Sequence, residues 1–284
     1  MASFEINAAA VREAIEKCEF VPYFQPIIEL WSGRLAGFEA LARWLHPSQG
    51  IIYPNAFIHV AEQCGLLDAL SEHLLSQASI AASQWPDDVR LSFNLLPRQL
   101  CDQSLAQRIR CIAQRTGFSL QRLTFEVTEL SQLGDLAAAF AVVEELKSHG
   151  VQLAIDDFGV GFSGLRRLQD IPFDVLKIDA SFTMAMITQT DARKIVSAVV
   201  GLAQSLGLRT VAEGVEDQVH ANMLLAFGCD FAQGWLYGRP VSASLTREWH
   251  SVESVATRPS EVAVMPSPPL LRRHLEGKTT TVFK

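Results

Sequence analysis

Short apolar runs that stop on a polar side chain recur along the chain, separated by longer runs with apolar residues at three- and four-residue spacing. FVPYFQPIIEL reads as the first strand, LAGFEALARW carries Glu39, LSFNLL carries Asn94 and LTFEVTE carries Glu126. Farther on, VQLAIDDFGVGFSGL carries Asp156 and Asp157, DVLKIDA carries Lys177 and Asp179, LRTVAEGVE carries Glu213 and Glu216, and CDFAQGW carries Gln233. These runs are short and rich in β-branched and aromatic residues, which predicts strands. The segments NAFIHVAEQCG, LLDALSEHLLSQASIAASQW, SLAQRIRCIAQRTG, LAAAFAVVEELKSHG, ARKIVSAVVGLAQSLG and QVHANMLLAFG have helical periodicity.

Regular alternation of strand and helix favours a parallel sheet with helical crossovers, and about seven or eight such units in about 240 residues is the size of a closed (β/α)8 barrel. The expected class is therefore α/β, a modified TIM-type (β/α)8 barrel, with the polar residues gathered at the C-terminal rim of its strands. An open doubly wound sheet is less well supported, because no G-x-G-x-x-G opens a helix after the first strand. A tight Ser32-Gly33 turn joins the first two strands, so one antiparallel pairing should interrupt the regular pattern. The expected divisions are a helical lead-in over 1–20, a barrel over 21–248 and a flexible tail over 249–284, where Pro, Ser and Thr mix without a sustained period.

Composition narrows the classes. Of 284 residues 19% are charged, and no run approaches the ~20 apolar residues of a membrane span. The first twenty residues lack the basic-then-apolar order of a secretory signal. Cys18, Cys64, Cys101, Cys111 and Cys229 are odd in number and lack paired metal-ligand spacing, which suits reduced thiols and a cytoplasmic protein. A net charge of −7 argues against long nucleic acid as a partner, since a phosphate backbone is held by basic surface. A small phosphorylated ligand remains compatible with that charge if metals supply the positive counterpart.

Glu39, Glu126, Asp156, Asp157, Glu213 and Glu216 would place six acids at one mouth, where repulsion raises pKa values unless cations neutralise them. All-oxygen donors without a helpful His or Cys point to magnesium or manganese. Two ions sharing one carboxylate, with Asp156 as the natural bridge, form a clamp suited to phosphoryl transfer. Lys177, with Asp179 on the same strand face, is placed to hold a water or neutralise developing charge. Strand parity also sends Glu39, Leu41 and Arg43 to one side, giving a ligand, an apolar platform and an anion-binding guanidinium in order.

Blander readings exist for each residue. A lone Glu in a strand is more often an ion-pair residue, and only recurrence at successive strand ends lifts Glu39 above that. Gly159, Gly161 and Gly164 are consistent with a simple tight turn, and Asp157-Phe158-Gly159 mimics a kinase metal motif, but V-A-I-K and H-R-D companions are missing. An enolase-type lyase also uses a barrel rim, yet leaves Arg43, Asn94 and the tandem acids unexplained together. His46 and His149 read as surface or cap residues.

QPI at Gln25, EALARW at Glu39, FNLL at Asn94, FEVTE at Glu126, DDFG at Asp156, LKID at Lys177, AEGVE at Glu213 and QGW at Gln233 stand in one order. From Val21 to Pro240 the chain resembles the EAL-domain cyclic di-GMP phosphodiesterases of bacterial signalling. The resemblance implies a barrel with one antiparallel strand that hydrolyses cyclic di-GMP to linear pGpG with two Mg2+ or Mn2+ ions. It implies that Glu39, Asn94, Glu126 and Asp156 hold the first metal and that Asp156 and Asp157 serve the second. Lys177 and Glu213 then orient or deprotonate the attacking water, with the base left open between them. By the same resemblance Gln25, Leu41, Arg43, Asp179, Glu216 and Gln233 contact or support the substrate. Glu129 resembles the anchor of the loop after Asp157, which in the family links metal binding to dimerisation, so a homodimer is expected. In that loop the family reads DDFGTGYSSL, whereas Val160, Phe162 and Gly164 here remove three hydroxyls.

A catalytically silent receptor or interaction module on the same barrel is the alternative, and it is normally marked by loss of the Glu39, Glu126, Asp157 or Glu213 equivalents, all of which are present. No GGDEF-like or sensor segment is recognisable, so control is expected from a regulatory protein partner, oligomerisation or ligand supply.

Overall fold

The computed structural model describes residues 6–128, 135–159, 168 and 170–249. Helix α1 (Ala8–Glu16), whose first turn is capped by the Asn7 side chain on the Ala10 amide, leads into strands β1 (Phe20–Glu29) and β2 (Leu35–His46). The apolar-to-polar pattern of the opening segment thus forms a hairpin, turned at Gly33 with φ 68°. A short β3 (Gly50–Ile52) folds back on the end of β2, and α2 (Pro54–Gln63) and α3 (Leu67–Ala82) follow. Alternation then continues through β4 (Arg90–Leu95), α4 (Leu105–Thr116), β5 (Leu123–Val127), α5 (Leu136–Ser148), β6 (Gln152–Phe158) and β7 (Val175–Ile178). Helices α6 (Ala180–Ala185) and α7 (Thr190–Ser205), strand β8 (Arg209–Ala212), α8 (Gln218–Phe227) and β9 (Phe231–Gln233) complete the ring, with β10 (Val241–Ser242) and a 3-10 turn at its edge.

The order β2-β4-β5-β6-β7-β8-β9 is parallel throughout. Strand β1 runs antiparallel to both β2 and β9 and closes the barrel. The modified (β/α)8 architecture with one reversed barrel strand is therefore as the sequence pattern and the resemblance predict. Among the described residues no helix is long and apolar enough to cross a membrane.

Alternation of side chains across each strand sorts the barrel into two environments. Outward residues such as Phe24, Phe38, Phe93, Phe125, Ile155 and Leu176 pack against the helices in the main core. Inward, Ile27, Ala154, Val175 and Val211 form a small apolar plug with Phe231 packed against it. One pleat away on the same face stand Gln25, Asp156, Lys177, Glu213 and Gln233. On β1 the step from Ile27 to Gln25 runs backwards along the chain, as an antiparallel strand requires. A polar layer thus sits directly on an apolar one.

Trp249, assigned by the sequence pattern to the start of the tail, is instead 4% exposed, with its ring 6.0 Å from that of Phe38. The preceding turn is fixed by the Trp85 indole N–H, which donates to Thr246 Oγ1 at 3.1 Å within the same aromatic cluster. The folded body therefore extends at least to Trp249, and residues 250–284 lie outside the described residues. Trp249→Ala should cost about 3–5 kcal/mol of stability, read as a lower urea midpoint at unchanged slope; a midpoint equal to that of the wild type would show that this turn does not belong to the core.

Candidate active site

The polar layer is centred on Lys177 of β7. Its Nζ lies 2.8 Å from Glu213 Oε1, 3.3 Å from Asp156 Oδ1 and 3.7 Å from Glu39 Oε2, and it donates a short hydrogen bond to Glu126 Oε2. Lysine and all four acids are buried, Lys177 and Glu39 completely. Each acid comes from a different segment: Glu39 from β2, Glu126 from β5, Asp156 from β6, and Glu213 from the residue after β8.

Charge decides what this arrangement requires. Burial is the largest influence on Lys177 and works to lower its pKa, yet Asp156, Glu126 and Glu39 together raise it well above the ordinary value. Lys177 therefore remains an ammonium. Glu126 is pushed up to about 8, first by burial and then by repulsion from Glu39, against the attraction of Lys177. Four carboxylates against one ammonium leave the layer short of positive charge, and such a deficit away from water is met by protons or by further cations.

Adjacent residues of a regular strand point to opposite faces, so tandem acids should not share a site. Here the β6–β7 register shifts between Ile155 and Phe158, and Asp157 adopts φ 52°. This left-handed conformation is one that Asp tolerates better than most residues. The Asp157 amide donates to Asp156 Oδ1 at 3.0 Å. As a result one ligand atom each from Asp156, Asp157 and Glu213 lies within 4.8 Å of the others. Their oxygens, with the neighbouring Glu126, Glu39 and Asn94, make a hard donor set without sulfur or imidazole, which fits a divalent cation of the magnesium type.

Neutral side chains orient the acids. Glu39 accepts from Asn94 Nδ2 at 2.7 Å through Oε1 and from Gln233 Nε2 at 2.6 Å through Oε2. Gln233 Nε2 also reaches Gln25 Oε1 at 3.0 Å, and Gln25 Nε2 donates to the Gly238 carbonyl at 3.2 Å. The glycines of AEGVE and QGW are steric requirements here. Gly214 has φ 69°, and a Cβ there would sit 2.7 Å from that of Ala180; at Gly234 a Cβ would sit 2.1 Å from the Val215 carbonyl oxygen.

Not every expected residue joins the cluster. Leu41 is buried farther along β2, and Arg43 beyond it is 7% exposed. Asp179, past the end of β7, caps α6 by accepting from the Ser181 amide at 2.9 Å. Glu216 is exposed on the loop after β8, so the expected convergence of six acids is corrected to four around Lys177 with Asp157 beside them. Strand parity does not extend into that loop. Glu129, Val160, Phe162 and Gly164 lie outside the described residues. Tyr23 and Tyr53, which flank Arg43, were not singled out by the sequence pattern; only the shared parity of Tyr23 with Gln25 would have signalled one of them.

Together the reversed first strand and the buried acid–lysine layer define an α/β-barrel protein whose rim suits a divalent cation. The chain belongs to the EAL domain family, whose profile matches residues 8–240. It is 37% identical over 238 residues to the cyclic di-GMP phosphodiesterase RocR of Pseudomonas aeruginosa, covering 83% of this chain and 61% of RocR. It is 32% identical over 243 residues to the cyclic di-GMP phosphodiesterase PdeR of Escherichia coli, covering 84% of this chain and 37% of PdeR. The solved PaMucR phosphodiesterase in complex with c-di-GMP superposes with a TM-score of 0.78 at 36% identity, over 84% of this chain and 98% of that one. The chain spans 28%, 30% and 34% of the length of three further relatives, so it matches one part of proteins that are much longer.

The raised Glu126 pKa gives a pH dependence with a definite sign. Without metal the folded state keeps a proton that an unfolded carboxyl, near 4.5, has lost. That contribution to stability is complete below about pH 4.5 and disappears as pH rises through about 8. A cation at this site must displace the proton. The metal-free protein should therefore lose thermal stability between about pH 5 and 8, divalent-ion affinity should rise over the same interval, and calorimetry in buffers of different ionisation enthalpy should record proton release. Metal affinity independent of pH across that window would exclude a protonated Glu126.

Proposed function

We propose that this chain is a phosphodiesterase that opens cyclic di-GMP to linear pGpG, assisted by two Mg2+ or Mn2+ ions. The observation that carries the reading is the excess of buried carboxylate over buried cation at the barrel rim. The names of RocR and PdeR and the ligand in the PaMucR complex support the substrate. Glu39, Asn94, Glu126 and Asp156 would hold one ion, and Asp156 with Asp157 the other. When bound, such ions supply positive charge to a phosphodiester and acidity to water.

The protein's own groups divide the remaining work. Lys177, held as an ammonium, cannot accept a proton, so it donates hydrogen bonds and balances charge as the phosphorus gains an oxygen. Glu213, ion-paired to it at 2.8 Å, is the group left to take the proton of the attacking water. Water oxygen bonds to phosphorus as its proton passes to Glu213, one ring P–O bond breaks, and the leaving oxygen becomes a hydroxyl by taking one proton from solvent, to which Glu213 returns its own. Gln25, Leu41, Arg43, Asp179, Glu216 and Gln233 contact or support the dinucleotide in this reading. A homodimer tuned through Glu129, a regulatory protein partner and a cytoplasmic location complete the proposal. The silent-receptor alternative is disfavoured because Glu39, Glu126, Asp157 and Glu213 are all retained.

Purified protein given cyclic di-GMP should produce pGpG with Mg2+ or Mn2+ and none in chelator, and Ca2+, which prefers longer and more numerous oxygen contacts, should not substitute. Glu39→Ala or Asp156→Ala should each lower kcat/KM by about a thousandfold while circular dichroism stays unchanged. Near-normal turnover in either variant, or full activity in chelator, would refute the reading.

The loop substitutions give a separate expectation. Val160→Thr with Phe162→Tyr restores two hydroxyls, each worth about 0.5–1.5 kcal/mol where it is hydrogen-bonded, and should raise turnover several-fold, whereas Glu129→Ala should lower it. Unchanged rates in both variants would remove this loop as a control element.

A further inference from the structure

Arg43 is a buried cation outside the acid layer. Glu39, Leu41 and Arg43 share one face of β2; on β1, Gln25 pairs with Glu39, Tyr23 with Leu41 and Val21 with Arg43. Tyr23 and Arg43 therefore stand on the wall of the same mouth, one and two pleats respectively beyond the Gln25–Glu39 pair. Among the described residues the guanidinium makes no ion pair. Its contacts are one hydrogen bond, Nη1 to the Ala42 carbonyl at 2.7 Å, and two aromatic rings, with Cζ 4.9 Å from the Tyr53 centroid and 5.8 Å from the Tyr23 centroid. Both rings are within the ~6 Å reach of a cation–π attraction, which strengthens as water is excluded.

Among the described residues Tyr53 has no other evident task. It stands at the N-cap position of α2, where it provides no side-chain capping bond, and the residue is 46% exposed, unlike a core residue. Burial works to lower the Arg43 pKa, and Tyr53 and Glu39 oppose that effect. An arginine head without a carboxylate to fix it samples many orientations, and a ring on either side restricts it without consuming its N–H donors.

We propose that Tyr53 and Tyr23 are positioning residues that bracket Arg43 and hold its guanidinium in one orientation, its spare donors ready for a paired acceptor on the bound nucleotide. The inference rests on the cyclic di-GMP reading of the site. The bracket acts on ligand capture and not on the chemical step, because it lies away from the acid–lysine layer.

Steady-state kinetics of the full chain with cyclic di-GMP and Mg2+ test this. Tyr53→Leu should raise KM about tenfold with kcat changed less than about twofold. Tyr23→Leu should raise KM less, because its ring is farther away. Tyr53→Phe, which keeps the ring face and loses only the hydroxyl, should bring KM back to within about twofold of the wild type. In an Arg43→Ala background, which itself raises KM, Tyr53→Leu should add nothing further. The bracket is overturned, with the cyclic di-GMP reading intact, if Arg43→Ala raises KM while Tyr53→Leu is silent, if Tyr53→Leu costs the same with Arg43 absent, or if Tyr53→Phe is as damaging as Tyr53→Leu. An Arg43→Ala variant with unchanged KM overturns both the bracket and the role of Arg43 in binding. A wild-type protein that neither binds nor hydrolyses cyclic di-GMP overturns the functional reading, and the proposal with it.

Discussion

A lysine that no water reaches, set among four carboxylates, is the constraint on which the rest of the barrel depends. An unpaired ammonium in that position would lose its proton, and the carboxylates without it would repel one another out of the interior. Because the four acids and the lysine come from five different strand segments, the ion pairs exist only when the ring is closed in the correct register. A slip of one residue in any strand would turn its polar group outward into the helical layer. The site and the fold therefore specify each other: the apolar plug of Ile27, Ala154, Val175 and Val211 sets the pleat, and the next pleat carries the charge.

The same layer is left deliberately unbalanced by its composition. Glu39 has both oxygens engaged by Asn94 and Gln233, and a chain of amides runs on to Gln25 and Gly238, so its position does not depend on a cation. Glu126 is different: burial and repulsion from Glu39 push its pKa up to about 8, so in the absence of a cation a proton is the counterpart its charge would otherwise lack. A cluster that is geometrically fixed and electrostatically deficient is preorganised for a cation, since little has to move when one arrives.

Much of this could be read from the chain, and what could not fails for identifiable reasons. Strands carrying Glu39, Asn94, Glu126, Lys177 and Gln233 are legible because the polar group interrupts an apolar run at a fixed parity. Asp157 is signalled in the sequence by its neighbour and not by its geometry: parity alone would send it away from Asp156, and only the bulge and its left-handed φ bring the two together. Glu216 and Asp179 follow the ends of β8 and β7, where no period applies, and one is exposed while the other caps a helix. Trp249 sits at the head of a Pro- and Ser-rich stretch whose composition conceals a single buried ring. Tyr53 lies in no periodic segment, so its approach to Arg43 is a tertiary contact without a local signature.

The reversed β1 explains why the mouth has a wall at all. Strands β7 and β8 are 4 residues long and stop at the acid layer, whereas β1 and β2 have 10 and 12 residues and continue past it as a paired ribbon. A parallel first strand would have to end at the rim to turn into its crossover; an antiparallel one enters from beyond the rim and lends its partner hydrogen bonds there. At about 3.3 Å per residue, Arg43 stands about 13 Å along β2 from Glu39. On the proposed reading, that separation lets one ligand place its phosphodiester at the acids and a distant group against Arg43, so that charge fixes the reacting end and the hairpin selects the other.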